Sequence, residues 1–332
     1  GKDDVFPSPS SGTQLLDQAI ADFTAAATLL PDNWDAANRG RVTKNSAHGF
    51  LGKALVFRGT VTNSAADFQA AITSFDAIMG VSLVNDYSDN FAFDQENNSE
   101  SLYEYQASQS AEENIWLPDE FDNNAGSMST SSWLPFEGIN SWGYGGAPFR
   151  ATQKLADAFE VGDPRIGKTF DPTSKAILKY VQRDRKVPNG ASSVNNPRIL
   201  RYADVLLLKA EAILKSGGSK SEAIGLINQI RGRARAMVVD GTIPADLNTA
   251  ITDNATIMQW IMDERFRELA FEEGIRWMDL GRWHLAGDIT LDDAFFNSTN
   301  GNFNIQLPKH LYFPIPSGEL DLNPNMKQNP EY

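Results

Sequence analysis

A chain of 332 residues with 41% hydrophobic and 22% charged residues is typical of folded globular proteins and lies outside the disordered class. Its formal charge of −14 argues against a nucleic-acid partner and makes a neutral ligand the easier partner. No stretch approaches the ~18 consecutive apolar residues of a transmembrane helix, and the lack of cysteine excludes disulfides and thiolate chemistry.

The first part of the chain predicts a lead-in followed by helices. Residues 1–12 predict a flexible lead-in. The apolar spacing that follows predicts an amphipathic helix over 14–30, which Pro31 ends. Apolar periods, caps and glycine stops predict further helices over 44–59, 65–79, 198–216, 220–234, 255–273 and 275–287. The predicted N-caps are Thr43, Ser64 and Ser219.

Three of these helices share a spacing that is similar to the second helix of a tetratricopeptide repeat. The small residue of that pattern lets the two helices of a unit approach, and the large residue fills the groove of the next unit. The spacing occurs at Leu16, Ala19, Phe23 and Ala26, at Phe68, Ala71, Phe75 and Ile78, and at Lys220, Ala223, Ile227 and Ile230. It favours an all-α, degenerate helical scaffold over 13–80 and 197–287, with an excursion over 81–196 and a C-terminal tail over 288–332, although any helical bundle gives a similar spacing.

The excursion contains a stretch, residues 131–149, that is rich in both glycine and aromatic residues. Glycine and proline exclude a long regular element there. Sugar rings present flat C–H faces that stack on aromatic side chains, while their hydroxyls need polar partners. The alternative is that Phe136 and Phe149, with one tryptophan, anchor the loop to the scaffold. The predicted ligand-binding residues are Trp116, Trp133, Asn140, Trp142, Tyr144 and Arg150.

A charged stretch over 262–283 raises the question of catalysis. Glu264, Glu268 and Glu272 follow one another at i, i+4 spacing, which is too close-set for the two opposed carboxylates of a glycosidase. Like charges at that spacing repel one another unless arginines interleave. We therefore predict an ion-pair network that holds the last helices together, and no catalytic residue.

The remaining polar motifs predict no metal or cofactor. The three histidines lack a ligand partner at metal-binding spacing, so we expect structural or surface roles for His48, His284 and His310. The stretch that begins at Asp94 resembles a calcium loop but has Tyr105 where a bidentate Glu is needed. A basic cluster at a helix end is expected to offset the helix dipole, and it comprises Arg231, Arg233 and Arg235.

Several longer stretches resemble the SusD/RagB-like family of Bacteroidetes surface lipoproteins. They are NPRILRYADVLLLKAEAIL (196–214), MDERFRELAFEEGIRWMDLGRW (262–283), LYFPIPSGELDLNPNMKQNPEY (311–332), GRVTKNSAHGFLGKALVFRG (40–59) and LADAFEVGDPRI (155–166). The resemblance implies an all-helical, tetratricopeptide-like fold whose loop excursions carry the ligand site. It also implies a lipoprotein at the surface of the outer membrane that captures oligosaccharides or polysaccharides, in some cases peptides, for a SusC-like TonB-dependent transporter.

The family pattern further implies a signal peptide, a lipidated cysteine and more chain before the first helix. We therefore expect the lipid anchor and part of the ligand surface to come from a preceding segment. Two alternatives stay open, a peptide-binding member of the family and a pure protein-interaction scaffold. A glycan site predicts binding that survives high salt, whereas a peptide site on an acidic body predicts a preference for basic sequences and a loss of affinity with salt.

Overall fold

A computed structural model of the chain describes residues 6–106, 150–180, 195–296 and 304–332. These residues form eleven α-helices and two short strands, which confirms the predicted all-α class. The helices are α1 (Gln14–Leu29), α2 (Lys44–Thr62), α3 (Ala65–Asp76), α4 (Gln153–Ala158), α5 (Ile166–Thr169), α6 (Tyr202–Lys215), α7 (Lys220–Ala236), α8 (Asn254–Glu268), α9 (Ile275–Leu285), α10 (Asp293–Phe296) and α11 (Ser317–Leu322). The strands are β1 (Ser101–Glu104) and β2 (Arg198–Arg201), and they pair antiparallel.

The predicted N-caps are present at the starts of three helices. Thr43 Oγ1 accepts from the Ser46 backbone N–H at 3.2 Å, and the Ser46 hydroxyl accepts in return from the Thr43 N–H at 3.0 Å. Ser64 accepts from the Asp67 N–H, and Ser219 accepts at the start of α7. Each cap satisfies a backbone donor that has no partner inside its helix, so the sequence fixes these starts locally.

The two largest differences between predicted and observed helices, of four and five residues, lie at one end of each helix. The helix predicted over 198–216 begins at Tyr202, because residues 198–201 pair with β1 instead. The helix predicted over 255–273 ends at Glu268. Phe271 and Glu273 then have positive φ angles of 62° and 36°, which a helix cannot contain.

The largest hydrophobic core lies among α6, α7, α8 and α9. Helix α6 is the most enclosed element, since 11 of its 14 residues are buried. It packs against α3, α7 and α8. Trp283 of α9 is fully buried in this core, and its indole N–H donates to Glu211 of α6 at 3.2 Å. The pairing of α2 with α3 and of α6 with α7 gives the helical-pair scaffold that the spacing predicts.

The excursion predicted over 81–196 contributes core as well as loops. Its described residues include Tyr87, Phe91 and Tyr180, which are fully or almost fully buried and form their own cluster. Strand β1 ties the excursion to β2, and the strand pair in turn contacts α2. At the other end of the chain, Asn323 and Asn325 of the tail donate to backbone carbonyls of residues 6–7. The proposed partition of the chain into scaffold, excursion and tail stays a prediction.

Candidate functional site

A polar cleft of about 610 Å³ lies where the α1–α2 connection, the first turn of α2 and strand β1 meet. Its volume falls within the roughly 300–1,000 Å³ typical of small-molecule sites. Two aromatic rings, two arginines and a row of amide and hydroxyl side chains face it. They include Trp34, Arg39, Arg41, Asn45, Asn97, Asn98, Ser99, Ser101 and Tyr103.

Trp34 is held in place by its own loop. Its indole N–H donates to the Val42 carbonyl at 2.8 Å, and the guanidinium carbon of Arg41 lies 5.7 Å from the ring centroid. The side chain is nevertheless 39% exposed. A tryptophan that is oriented by its N–H while part of the ring faces solvent is suited to stacking against a planar or ring-shaped ligand.

Arg39 and Asn45 join the three loops that form the cleft. Arg39 Nη2 donates to the carbonyls of Glu96 and Asn97 at 2.9 and 3.0 Å. The Asn45 side chain donates to the Met79 carbonyl at 2.7 Å and accepts from the Met79 N–H at 3.2 Å. These bonds connect the start of α2 with the segments that follow α3 and precede β1. The walls of the cleft are therefore pre-organised.

The cleft is locally cationic within an acidic protein. Lys44 pairs with Asp32 at 2.8 Å, and the carboxylate of Glu104 is buried within 3.6 Å of Arg198. Arg39 and Arg41, in contrast, form no ion pair with any carboxylate of the described residues. Their guanidinium groups leave donors available to a ligand.

A smaller cleft of about 340 Å³ continues this surface towards Phe93 and Gln106. The amides of Asn97 and Gln106 exchange two hydrogen bonds of 2.9 and 3.1 Å. Gly40 has a φ of 89°, and a side chain there would overlap Gln106. Gln106 is the last described residue before residues 107–149, which include five of the predicted ligand-binding residues.

The predicted ligand residues divide between the described and the undescribed parts of the chain. Arg150 is exposed, donates to the Ser174 carbonyl at 2.6 Å, pairs in a β-bridge with Ala176, and does not line the cleft. Its role in ligand binding stays a prediction. The five others, Trp116, Trp133, Asn140, Trp142 and Tyr144, lie outside the described residues.

The cleft residues were not predicted from the sequence, although one signal was available. Trp34 stands in the polar sequence DNWD directly after the Pro31 that ends the first predicted helix. A tryptophan in a charged interhelical loop has no core to enter, so it was a candidate for a ligand contact. Arg39 and Asn97 carry no such local signal, because their positions depend on contacts between distant segments.

The carboxylates of 262–283 form the predicted ion-pair network, and they lie in the interior. Glu264 and Glu268 are completely buried. Arg165 donates to Glu264 at 2.5 Å and to Glu268 at 2.9 Å, and Arg201 donates to Glu268 at 2.7 Å. The charges of these arginines and of Arg233 hold the pKa of Glu268 far below its ordinary value despite burial. A carboxyl held ionised in this way cannot donate the proton that a general acid supplies.

The network corrects one further prediction and extends another. Glu272 does not extend the stack on the helix; it follows the end of α8 and pairs with Arg201 at 2.7 Å. The predicted basic cluster lies at the end of α7, with Arg233 and Arg235 in the last turn. Arg231 and Arg233 are also buried and pair with Glu264 and Glu268.

The histidines occupy structural positions. His48 lies 3.3 Å from the Ser74 hydroxyl, His284 Nδ1 accepts from the Leu291 N–H, and His310 Nδ1 accepts from the backbone of residue 306 at 2.9 Å. Across the described ranges, no cluster of three His, Asp or Glu side chains is arranged to hold a metal ion. Among the helices that the structure describes, none is long and apolar enough to cross a bilayer.

The family model for the SusD family matches residues 164–332, which are 169 of the 332 residues. This chain belongs to the SusD family. The SusD-like protein P38 of Formosa agariphila is 37% identical over 147 residues, which cover 43% of this chain and 26% of P38. The matched segment thus spans about a quarter of that relative.

Solved structures share the fold over almost the whole chain. The surface glycan-binding protein A from Bacteroides uniformis superposes with a TM-score of 0.70 at 24% identity, covering 95% of this chain and 68% of that protein. A laminarin-binding SusD-like protein superposes with a TM-score of 0.69 at 23% identity, covering 97% of this chain and 70% of the other. The present chain therefore has the helical-pair architecture of the SusD family.

Proposed function

We propose that this SusD-like protein binds oligosaccharides or polysaccharides at the surface of the outer membrane and delivers them unaltered to a SusC-like TonB-dependent transporter. The observation that carries the proposal is the polar cleft, which combines aromatic rings with amide and guanidinium groups. The names of two structural neighbours, which describe glycan binding and laminarin binding, support the same ligand class. As in the family, a lipid anchor supplied by a preceding segment would hold the protein at the membrane.

The chemistry of the cleft suits a sugar. A pyranose has apolar C–H faces and a rim of hydroxyls, so it needs a flat apolar wall and several polar groups of fixed position. Trp34 offers the wall, and Asn45 and Arg39 offer polar groups whose positions are fixed by bonds to the backbone. Trp133, Trp142 and Tyr144 stay predicted as additional rings for the ligand.

The first prediction tests this site through Trp34. Trp34→Ala removes the exposed ring, and stacking of one ring is worth about 1–3 kcal/mol, so affinity should fall roughly 5–150-fold. Affinity electrophoresis in gels that contain laminarin and other soluble polysaccharides measures the change. The glycan recovered from the complex should keep its chain length.

The control is Phe313→Ala, which removes a ring that is 76% exposed and does not line the cleft. This variant should bind as the wild type does. Unchanged binding by Trp34→Ala would move the site away from the cleft. If the wild-type protein binds none of a broad panel of glycans, the proposed function is wrong.

A further inference from the structure

A second cavity, of about 160 Å³, lies between α4, α8 and α9 and shares no lining residue with the polar cleft. It is smaller than the roughly 300–1,000 Å³ of sites for drug-sized ligands, so it suits a single small ring. Its polar lining consists of Lys154, Gln259, Asp263 and Arg276, and the remainder is apolar.

Two cations face this cavity, and aromatic rings support both. Lys154 Nζ lies 3.5 Å from the centroid of the Phe295 ring and donates to the Phe295 carbonyl at 2.5 Å. The guanidinium carbon of Arg276 lies 4.1 Å from the centroid of the Phe266 ring. Stacking of this kind covers one face of a guanidinium and leaves its N–H edges free.

Arg276 is unusual among the half-buried and buried arginines of this protein. It makes no hydrogen bond or ion pair with any residue in the described part of the chain. The nearby carboxylate of Asp279 is already shared by Arg265 at 2.7 Å and Arg282 at 2.8 Å. A partly buried cation without a partner is costly, and its pairing with an anion would relieve that cost.

The charges around the cavity agree with this geometry. Burial lowers the pKa of Arg276 to about 10, although Asp279 and Asp263 act in the opposite direction and Arg265 adds to the lowering. Burial also lowers the pKa of Lys154, and the charge of Arg276 lowers it further. Asp263 is the carboxylate that opposes both shifts, and it accepts a hydrogen bond from Gln259 at 2.8 Å. Burial thus disfavours the charged form of both groups.

We propose that this cavity binds the carboxylate of an acidic sugar, a hexuronate, between Arg276 and Lys154. The choice of a sugar as the carrier of the carboxylate rests on the proposed function. Charge-assisted hydrogen bonds from the two cations hold the carboxylate. Asp263 accepts hydrogen bonds from the ring hydroxyls, and the amide of Gln259 donates to them. The apolar side chains of α8 and α9 contact the C–H face of the ring. The protein accordingly has a subsite for uronate units in addition to the polar cleft.

Isothermal titration calorimetry with small sugars tests this subsite directly. Glucuronate and galacturonate should bind, whereas glucuronamide, in which a neutral amide replaces the carboxylate, should bind at least about tenfold more weakly. Arg276→Gln should weaken uronate binding by about tenfold or more. Its control is Arg235→Gln, which makes the same charge change at the surface pair with Asp246 and should bind uronate as the wild type does.

The melting temperature separates a binding role from a structural one. Arg276 has no hydrogen-bond or ion-pair partner to lose among the described residues, and its stacking on Phe266 contributes little, so Arg276→Gln should melt close to the wild type in the absence of ligand. Lys154→Met is a second variant that should weaken uronate binding. Equal binding of glucuronate and glucuronamide, unchanged uronate binding by Arg276→Gln, or a marked fall in its melting temperature would each overturn the inference.

The experiment also separates this inference from the proposed function. Binding of polysaccharides without any binding of uronates overturns the uronate subsite and leaves the proposed function standing. Uronate binding that depends on Arg276, in a protein that binds no polysaccharide, supports the subsite and contradicts the proposed function.

Discussion

Glu268 shows how this protein keeps charges in its interior. Its carboxylate is fully buried and receives hydrogen bonds from three arginines that come from separate segments, Arg165, Arg201 and Arg233. A buried ion without a partner is strongly destabilising, whereas a fully paired one is tolerated and fixes how the segments fit together. The network therefore makes the end of α8 the point at which the excursion, β2 and α7 meet.

The second prediction concerns this residue. Glu268→Gln leaves three buried arginines short of one negative charge, so we expect a loss of about 3–5 kcal/mol in the free energy of unfolding. Urea denaturation followed by circular dichroism measures it. Glu319→Gln, at an exposed carboxylate, should change stability by less than about 0.5 kcal/mol. Similar stabilities of the two variants would show that the network contributes little.

The third prediction concerns the pH dependence of stability. Desolvation of its carboxyl and the charge of Glu272 raise the pKa of Glu273 to about 7, although the residue as a whole is exposed. A carboxyl whose pKa is raised by folding binds more protons in the folded state, so its contribution to stability falls as pH rises from the ordinary value of about 4.3 towards 7. Glu273→Gln should therefore stabilise the protein more at pH 8 than at pH 5. Melting temperatures at the two pH values test this, and an equal shift at both would contradict it.

At the scale of elements, the sequence predicts the features that depend on residues close together along the chain. Thr43 and Ser64 specify helix starts through bonds to residues three positions later, and these starts are observed as predicted. The strand Arg198–Arg201 was missed because its apolar pattern continues into α6 and only pairing with β1 separates them. The cleft was missed for the same physical reason. Arg39 meets residues 96–97 through contacts that no local pattern encodes.

The fourth prediction concerns the packing of α2 on α3. A methyl group at Gly52 of α2 would overlap the ring of Phe75, which is buried in α3. We therefore expect Gly52→Ala to cost about 1–3 kcal/mol, as overpacking of a core does. Gly225 of α7 is the matched control, because nothing lies within 4 Å of an added methyl there. Gly225→Ala should stabilise the protein by about 0.5–1 kcal/mol through helix propensity alone. Thermal unfolding of both variants checks the difference in sign.

For the molecule as a whole, the net charge and the charge of the cleft have opposite signs. The formal charge is −14, yet Arg39 and Arg41 face the cleft without a carboxylate partner among the residues described. Net charge alone predicts that a peptide ligand would be basic, but the lining of the cleft disfavours a basic peptide at this position. A neutral glycan is disfavoured neither by the net charge of the protein nor by the charge of the cleft, because stacking and hydrogen bonds to hydroxyls do not require a charged ligand.

The fifth prediction uses salt to separate a glycan ligand from a peptide. The Debye length falls from about 10 Å at 0.1 M salt to about 3 Å at 1 M. Binding of a neutral glycan such as laminarin should therefore change less than about threefold across this range, since neither stacking nor neutral hydrogen bonds are screened. A peptide held by Arg39 and Arg41 would have to be acidic, and its affinity would fall steeply. Calorimetric titration of laminarin and of an acidic peptide at both salt concentrations makes the comparison. Tight, salt-sensitive binding of the peptide with no binding of any neutral glycan would assign the cleft to peptide capture.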